Sequence, residues 1–471
     1  MEEVIEKVAL PGEHLQIIDE GEIPKHVIVL AIDAFKYEYL KKYELPNIGS
    51  LITNGVSFAN AIASNVVAET APGFASISTG KYTKDHGIWA SDNWYDRKTK
   101  KLRYLYDETS GKLYLEAPTI GEIIKLHDPS AKVASISAKD RNAILLGGPK
   151  ADIVVFSYRE QMHELGHFTG PGVSSDFFGW TERPGRVLPL YLADLQLPRL
   201  VDWDGPGFHH ARENAANTPF MDEFIMEGAL RILENERPKL LFIGLVSPNI
   251  VGHIYMTEST ELRESCKVVD GLLGMLISRI KEMGWFDDTL LIFTADHGMA
   301  DKPLSIDLIG ELKRKGRRDL VENIAHVYKV PAVGGLYLRD ASQPLIDDTI
   351  EALKGIEHIK GAWYKYDPNA PWFIRRGAHE RAPDIIVVPE FRYQIVPEGR
   401  TGPVYPAYHG APYFDDLSIV MIFSGCGIKR MGTVGEDDIP PDEFLFDELV
   451  QGLPEQTQIV PTIKKILNIP S

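Results

Sequence analysis

TLLIFTADHG, residues 289–298, decides the fold. Seven residues of strand character, Thr289 to Ala295, run straight into Asp296, His297 and Gly298. An apolar run of this length, closed at once by polar residues, is the pattern of a strand buried on both faces. HVIVLAI at 26–32 repeats it and meets Asp33, and KLLFIGLV at 239–246 meets Ser247, Pro248 and Asn249. KVASIS (132–137) and ADIVVF (151–156) read the same way. Helical patterns lie between them: TIGEIIKLH (119–127), MDEFIMEGALRILENE (221–236) and ELRESCKVVDGLLGMLISRIKEMG (261–284). Strands alternating with amphipathic helices predict an α/β sheet covered on both faces, with its chemistry just beyond the carboxyl ends of the strands.

Two stretches break the rhythm. Residues 158–217 are rich in Gly, Pro and aromatics without a clear period, and read as a cap insertion over one edge of the core. Residues 301–405 combine a charged helix, IDLIGELKRKGRR, with short strands, and read as a second elaboration. No repeat or low-complexity linker is found, and a chain of 471 residues reads as one large core with insertions or as two domains.

Composition narrows the function. The chain has 471 residues, 44% hydrophobic and 25% charged, the balance of a globular protein with a sizeable core. With 50 basic and 67 acidic residues the net charge is −17, a surface that repels nucleic acid and anionic membranes. An acidic protein that binds an anionic substrate must concentrate cations or metals in one pocket. Two cysteines, Cys266 and Cys426, are too few for a disulfide framework. The acidic N-terminus has no apolar run, and no stretch is long enough to span a bilayer, so the cytoplasm is the expected compartment. Oligomeric state is not legible.

Asp33, Asn249 and the Asp296-His297 pair each follow a predicted strand, His253 lies four residues after Asn249, and His409 comes late, in Tyr408-His409-Gly410. Asp and Asn commonly cap helices and begin turns, so each residue alone means little. Several converging on one sheet edge form a donor set that zinc and similar divalent ions prefer. Thr70, in ETAPGFASISTGKYTKDHGI, is the candidate nucleophile, a weak one that metal coordination would activate. The structural alternative makes Thr70 a helix N-cap with Pro72 in the first turn, which is compatible with that role.

Taken in order, Asp33, T-x-P-x-x-x-S-x-x-T-G from Thr70, the N-x-x-x-H pair, F-T-A-D-H-G and the late H-G resemble the alkaline phosphatase superfamily over nearly the whole chain. Even the tail, IVPTIKKILNIP, is similar to the closing helix of that group. The fold this implies is a three-layer α/β/α sandwich with a mostly parallel central sheet, cap insertions and a two-metal site at the sheet edge. The resemblance implies that Asp33, Thr70, Asp296 and His297 hold one divalent ion, and Asn249, His253 and His409 the other, with zinc the expected metal. It also implies in-line attack by Thr70 on a small phosphorylated substrate through a phosphothreonine intermediate.

GIWASDNWYD (87–96), SAKDRNAILLGG (137–148) and HGAPYFDD (409–416) further resemble the Thr-nucleophile alkaline phosphatases, relatives of the nucleotide pyrophosphatase/phosphodiesterases that favour monoesters. The positions matching phosphate-contacting residues are Asn93, Lys139 and Arg141. Two cations there favour the more highly charged monoester, although an ordinary solvated pair after a strand has the same residues. A phosphodiester, a pyrophosphate or a phosphonate stays open as substrate. The pattern has Asp where this chain has Asn249, an amide that coordinates more weakly. This substitution is compatible with a loosely held or absent second metal, a shifted metal preference, another donor filling in, or a disabled enzyme that only binds a phosphorylated ligand.

HELGHFTG, 163–170, has the H-E-x-x-H-x-x-G form of zinc peptidases. Those sites need a long helix and a third ligand. Here Gly170, Pro171 and Gly172 end any helix at once, and Val173 stands where one peptidase group has the third ligand. His163, Glu164 and His167 therefore read as a short surface element of the cap, with substrate contact or a supplementary metal donor as lesser readings and peptidase activity as the least. His209 and His210 remain without a role.

Overall fold

The computed structural model describes residues 16–19, 21–91, 93–107, 112–157, 177–179, 190–193, 219–435 and 439–470. Nine strands form the central sheet: β1 (His26–Ile32), β2 (Gly55–Phe58), β3 (Val133–Ser137), β4 (Ile153–Ser157), β5 (Phe177–Gly179), β6 (Leu240–Leu245), β7 (Thr289–Ala295), β8 (Met421–Gly425) and β9 (Gly432–Val434). Their spatial order is β9-β2-β8-β7-β1-β6-β3-β4-β5. The middle five, β7-β1-β6-β3-β4, are parallel, while β8 and β5 run antiparallel to their neighbours. The apolar runs are explained by position: every residue of β6 and β7 is buried, as is all of β1 after His26.

Helices cover both faces of the sheet and complete the three-layer α/β/α architecture. One group contains α1 (Thr70–Thr79), which packs on α2 (Asp140–Gly147) and on the closing helix α6 (Ile459–Ile466). The other contains α3 (Pro219–Glu236), α4 (Ser247–Tyr255) and α5 (Thr260–Glu282). The helix predicted at 119–127 forms as Ile120–His127, opened by a capping box between Thr119 and Glu122.

Residues 324–389 contain a separate four-stranded antiparallel sheet, Ile324–Val330, Val333–Leu338, Ile359–Tyr364 and Ile385–Pro389. The helices Leu308–Arg314 and Gln343–Lys354 enclose with it a second apolar core that includes Leu312, Leu336, Leu353 and Val387. These elements, which fall within residues 301–405, share an interior of their own. Of the 158–217 stretch, the described residues include β5, the edge of the central sheet, and a short helix, Leu190–Ala193. His163, Glu164, His167, His209 and His210 lie outside the described residues.

Register places the polar strand ends together. Ile32 pairs with Ala295 on one side and Leu245 on the other, so Asp33, Val246 and Asp296 leave the sheet as neighbours. The turn into α4 is held from a distance. Asp222 on α3 is fully buried and accepts the Val246 N–H at 2.8 Å, the Ser247 N–H at 3.0 Å and the Ser247 hydroxyl at 2.5 Å. Burial raises its carboxyl from the ordinary 3.8 to about 6, against the hydrogen bonds that lower it.

A carboxyl with a raised pKa binds more protons folded than unfolded, so its contribution to stability falls as pH rises through the window from about 4 to about 6. Urea unfolding across that range should show this slope, flattened in Asp222→Asn. Asp222→Ala strands two buried N–H groups and should cost about 3 kcal/mol at neutral pH.

Candidate active site

Three side chains meet at the carboxyl edge of the sheet. Ligand atoms of Asp33, Asp296 and His297 all lie within 4.8 Å of one another, and all three residues are fully buried. His297 Nε2 is 3.5 Å from Asp33 Oδ1 and 3.4 Å from Asp296 Oδ2. Each remaining oxygen is engaged. Asp296 Oδ1 accepts the N–H groups of Ala34 (3.0 Å) and His297 (2.9 Å), and Asp33 Oδ2 accepts from Lys139 Nζ at 2.6 Å. Ala34, at φ +62°, is held in the left-handed region by this contact, a strained conformation for a residue with a Cβ.

Asn249 and His253, four apart on α4, share a helix face. The His253 ring lies 5.1 Å from the ring of His409, which stacks on His297 at 3.6 Å and 14°. All three imidazoles are oriented in one way. Nδ1 donates to a backbone carbonyl, of Ala407 for His253 (2.8 Å), Gly298 for His297 (2.8 Å) and Ala68 for His409 (2.9 Å). A carbonyl only accepts, so Nδ1 carries the proton and Nε2 keeps its lone pair, the arrangement found behind metal-ligating histidines.

The electrostatics fit the same use. Burial first, then neighbouring cations, lowers His253 and His297 to about 4 and His409 well below its ordinary value, so the rings are neutral donors at pH 7. Burial and then the charge of Asp33 push the Asp296 carboxyl well up. Asp33 is also opposed by burial, but the Lys139 ammonium and the other nearby cationic groups outweigh it and hold Asp33 below the usual range. Among the described residues, Asp33 Oδ1, Asp296 Oδ2, His297 Nε2 and Asn249 Oδ1 are buried without a hydrogen-bond partner. Four lone-pair atoms left over in a buried site, two of them on carboxylates, are what a cation would use.

Thr70 opens α1 and is buried; the cap position predicted for it belongs to Glu69, at φ −116° and ψ 165°. The first turn of α1 lies directly on Asp296, because a Cβ at Gly73 would sit 2.6 Å from the Asp296 carbonyl oxygen. Gly298 is equally constrained, its would-be Cβ 2.4 Å from the Asp415 carbonyl oxygen. Lys139 caps α2 and, where a contact to phosphate was expected, it is paired with Asp33. Arg141 follows in the first turn, near enough to lower both Asp33 and His297. Asn93 begins the strand Asn93–Asp96, which pairs with Lys101–Tyr104.

Residues 27–411 match the family model for type I phosphodiesterase / nucleotide pyrophosphatase. The chain belongs to this family. Alkaline phosphatase PhoK of a Sphingomonas species is 28% identical over 59% of this chain and 56% of its own length. Alkaline phosphatase PhoD of Zymomonas mobilis is 25% identical over 75% and 64%. This chain therefore spans less than two thirds of either relative. Human bis(5'-adenosyl)-triphosphatase ENPP4 is 24% identical over 60% of this chain. In fold, the crystal structure of alkaline phosphatase PafA superposes with a TM-score of 0.72, covering 96% of this chain and 97% of PafA at 19% identity. Murine ectonucleotide pyrophosphatase / phosphodiesterase 5 follows with a TM-score of 0.62 at 17% identity.

Sequence reasoning missed the supports of this phosphodiesterase-family site. Glu69 accepts the Ser91 N–H at 2.8 Å and the Tyr328 hydroxyl at 3.0 Å, and Ser91 Oγ accepts the Ala71 N–H at 3.1 Å. These bonds bracket Thr70 on both sides. Arg381 lies over the Trp94 and Tyr114 rings, Tyr95 against Tyr337, and Arg97 pairs with Asp384 at 2.5 Å. No local signal marks any of these contacts, since each joins residues far apart in the chain.

Zinc added to the metal-free chain competes with protons for Asp296, whose carboxyl is raised by burial and then by the charge of Asp33, while the neutral histidines have none to release. Calorimetry in buffers of different ionisation enthalpy should therefore find no more than about one proton released for the first zinc, with affinity rising as pH rises. Release of two or three protons would mean that the histidines are charged in the metal-free site.

Proposed function

We propose that this chain is a metal-dependent phosphate-ester hydrolase that favours monoesters and works through Thr70. The observation that carries this reading is the set of buried, partnerless atoms on Asp33, Asp296, His297 and Asn249 beside the first turn of α1. Asp33, Asp296, His297 and Thr70 would hold one divalent ion and Asn249, His253 and His409 a second, with zinc the expected metal. Bound there, the ions supply Lewis-acid stabilisation of the attacking and leaving oxygens.

The chain's own residues do the rest. Thr70 attacks phosphorus in line; its P–O bond forms as the bond to the leaving oxygen breaks, and water later hydrolyses the phosphothreonine. Asn93, Lys139 and Arg141 bind the non-bridging oxygens of the phosphoryl group. The Lys139–Asp33 pair (2.6 Å) gives Lys139 a second task, holding the carboxylate in place between turnovers. Family membership and the names of PhoK, PhoD and PafA support phosphomonoester hydrolysis, and ENPP4 supports a nucleotide polyphosphate or a diester as the alternative on the same scaffold. A single catalytic unit over 1–471 and a cytoplasmic location belong to the same proposal, the latter consistent with two free, buried cysteines. Among the described residues no helix is long and apolar enough to cross a membrane.

Asn249 favours one second reading, a protein that binds a phosphorylated ligand without turning it over. Thr70→Ala decides between them. The hydrolase reading expects p-nitrophenyl phosphate turnover to fall by at least about a thousandfold with phosphate binding retained; an unmodified chain that binds phosphate and shows no turnover leaves only the binder.

Substrate class is tested separately. Removing Lys139 and Arg141 together should lower kcat/KM for monoesters by about a hundredfold or more, and for bis-p-nitrophenyl phosphate far less, because the diester carries less charge on the oxygens they contact. Equal losses on both substrates would argue against monoester preference.

A further inference from the structure

We infer that Asn249, His253 and His409 hold a divalent ion tightly only when a phosphate dianion binds with it, so that the substrate completes the site. This rests on the reading of the site given above and goes beyond it. The argument is one of charge. Asp33 and Asp296 bring two carboxylates to one half of the site. Asn249, His253 and His409, each less than a tenth exposed, bring no formal charge to the other half.

Of the described acids, none nearby makes up the difference. Among the described residues, Asp33, Asp296 and His297 are the one group of three or more acidic, His or Cys side chains placed to hold an ion. Asp222 is spent on Val246 and Ser247, Asp301 accepts the Thr257 N–H and hydroxyl at 2.9 and 3.0 Å, and Glu69 accepts from Ser91 and Tyr328. Lys139 and Arg141 add positive charge to the same region. A second doubly charged ion would therefore enter a buried space that already leans positive, at a desolvation cost that neutral ligands do not repay.

A phosphate dianion reverses this balance, because its oxygens bring two negative charges into the same space. Asn249 contributes a buried amide oxygen without a hydrogen-bond partner, a neutral ligand that completes the geometry and leaves the charge to the substrate. Two consequences follow. Ion and phosphate must strengthen each other's binding by the same factor, since coupling free energy is reciprocal. A monoester dianion completes the site better than a diester monoanion, which makes position 249 a determinant of substrate charge.

The test is zinc binding, with no turnover required. The full chain, titrated from the metal-free state in buffered zinc, is followed by metal content per chain with and without inorganic phosphate. The first zinc should bind with nearly the same affinity in both conditions. The second should tighten by about tenfold or more with phosphate, and phosphate should bind tighter by that factor once the second zinc is present. In Asn249→Asp the second zinc should bind without phosphate and the coupling should shrink toward unity. Two zincs bound with equal affinity, neither responding to phosphate that does bind, would overturn the inference and leave the hydrolase reading standing. A single zinc at every phosphate concentration would also overturn it. Phosphate that fails to bind at any zinc loading would overturn both.

Discussion

Two carboxylates buried side by side, Asp33 and Asp296, set the terms for the rest of this protein. They are neighbours because β1 and β7 are adjacent, parallel and in register up to Ile32 and Ala295. Adjacent strands run about 4.8 Å apart, a separation at which two charges in a low-dielectric interior repel strongly. The fold answers the repulsion in two ways: Lys139 binds one of the carboxylates, and burial favours a proton on the other. Both answers are reversible.

Around this pair the backbone supplies most of the precision. Main-chain carbonyls fix all three histidine rings, and main-chain N–H groups take one oxygen of Asp296. Gln456, at the far end of the chain, donates to the carbonyls of Ala295 and Asp296 at 2.8 and 2.7 Å and so ties the closing segment to the end of β7. The residues that touch a ligand are few; those that hold them still come from nearly every part of the chain.

This division explains what could be read in advance. The long core strands announced themselves as apolar runs because both of their faces are covered, and Asp33 and Asp296 could be found because each immediately follows such a run. The short strands β2 and β9 contribute to the same sheet without a comparable run, and only pairing reveals them. Asp222 was hidden for another reason: it sits within an ordinary amphipathic helix pattern, and its work is done on residues 246 and 247. Lys139 was recognised by its place in a motif, but its partner Asp33 is 106 positions away in sequence and was beyond any local pattern.

The second sheet, at 324–389, has its own apolar core, yet it is fastened to the catalytic side by Tyr328 on Glu69, by Arg381 on Trp94 and by Asp384 with Arg97. It cannot be treated as a detachable module. Excising it would strip a donor from the residue that precedes Thr70 and uncover the aromatic side chains of the hairpin that begins at Asn93. A substitution on the edge that carries Tyr328, Arg381 and Asp384 is therefore felt at Glu69 and at the Asn93 hairpin, while the far side of that sheet answers only to its own apolar core.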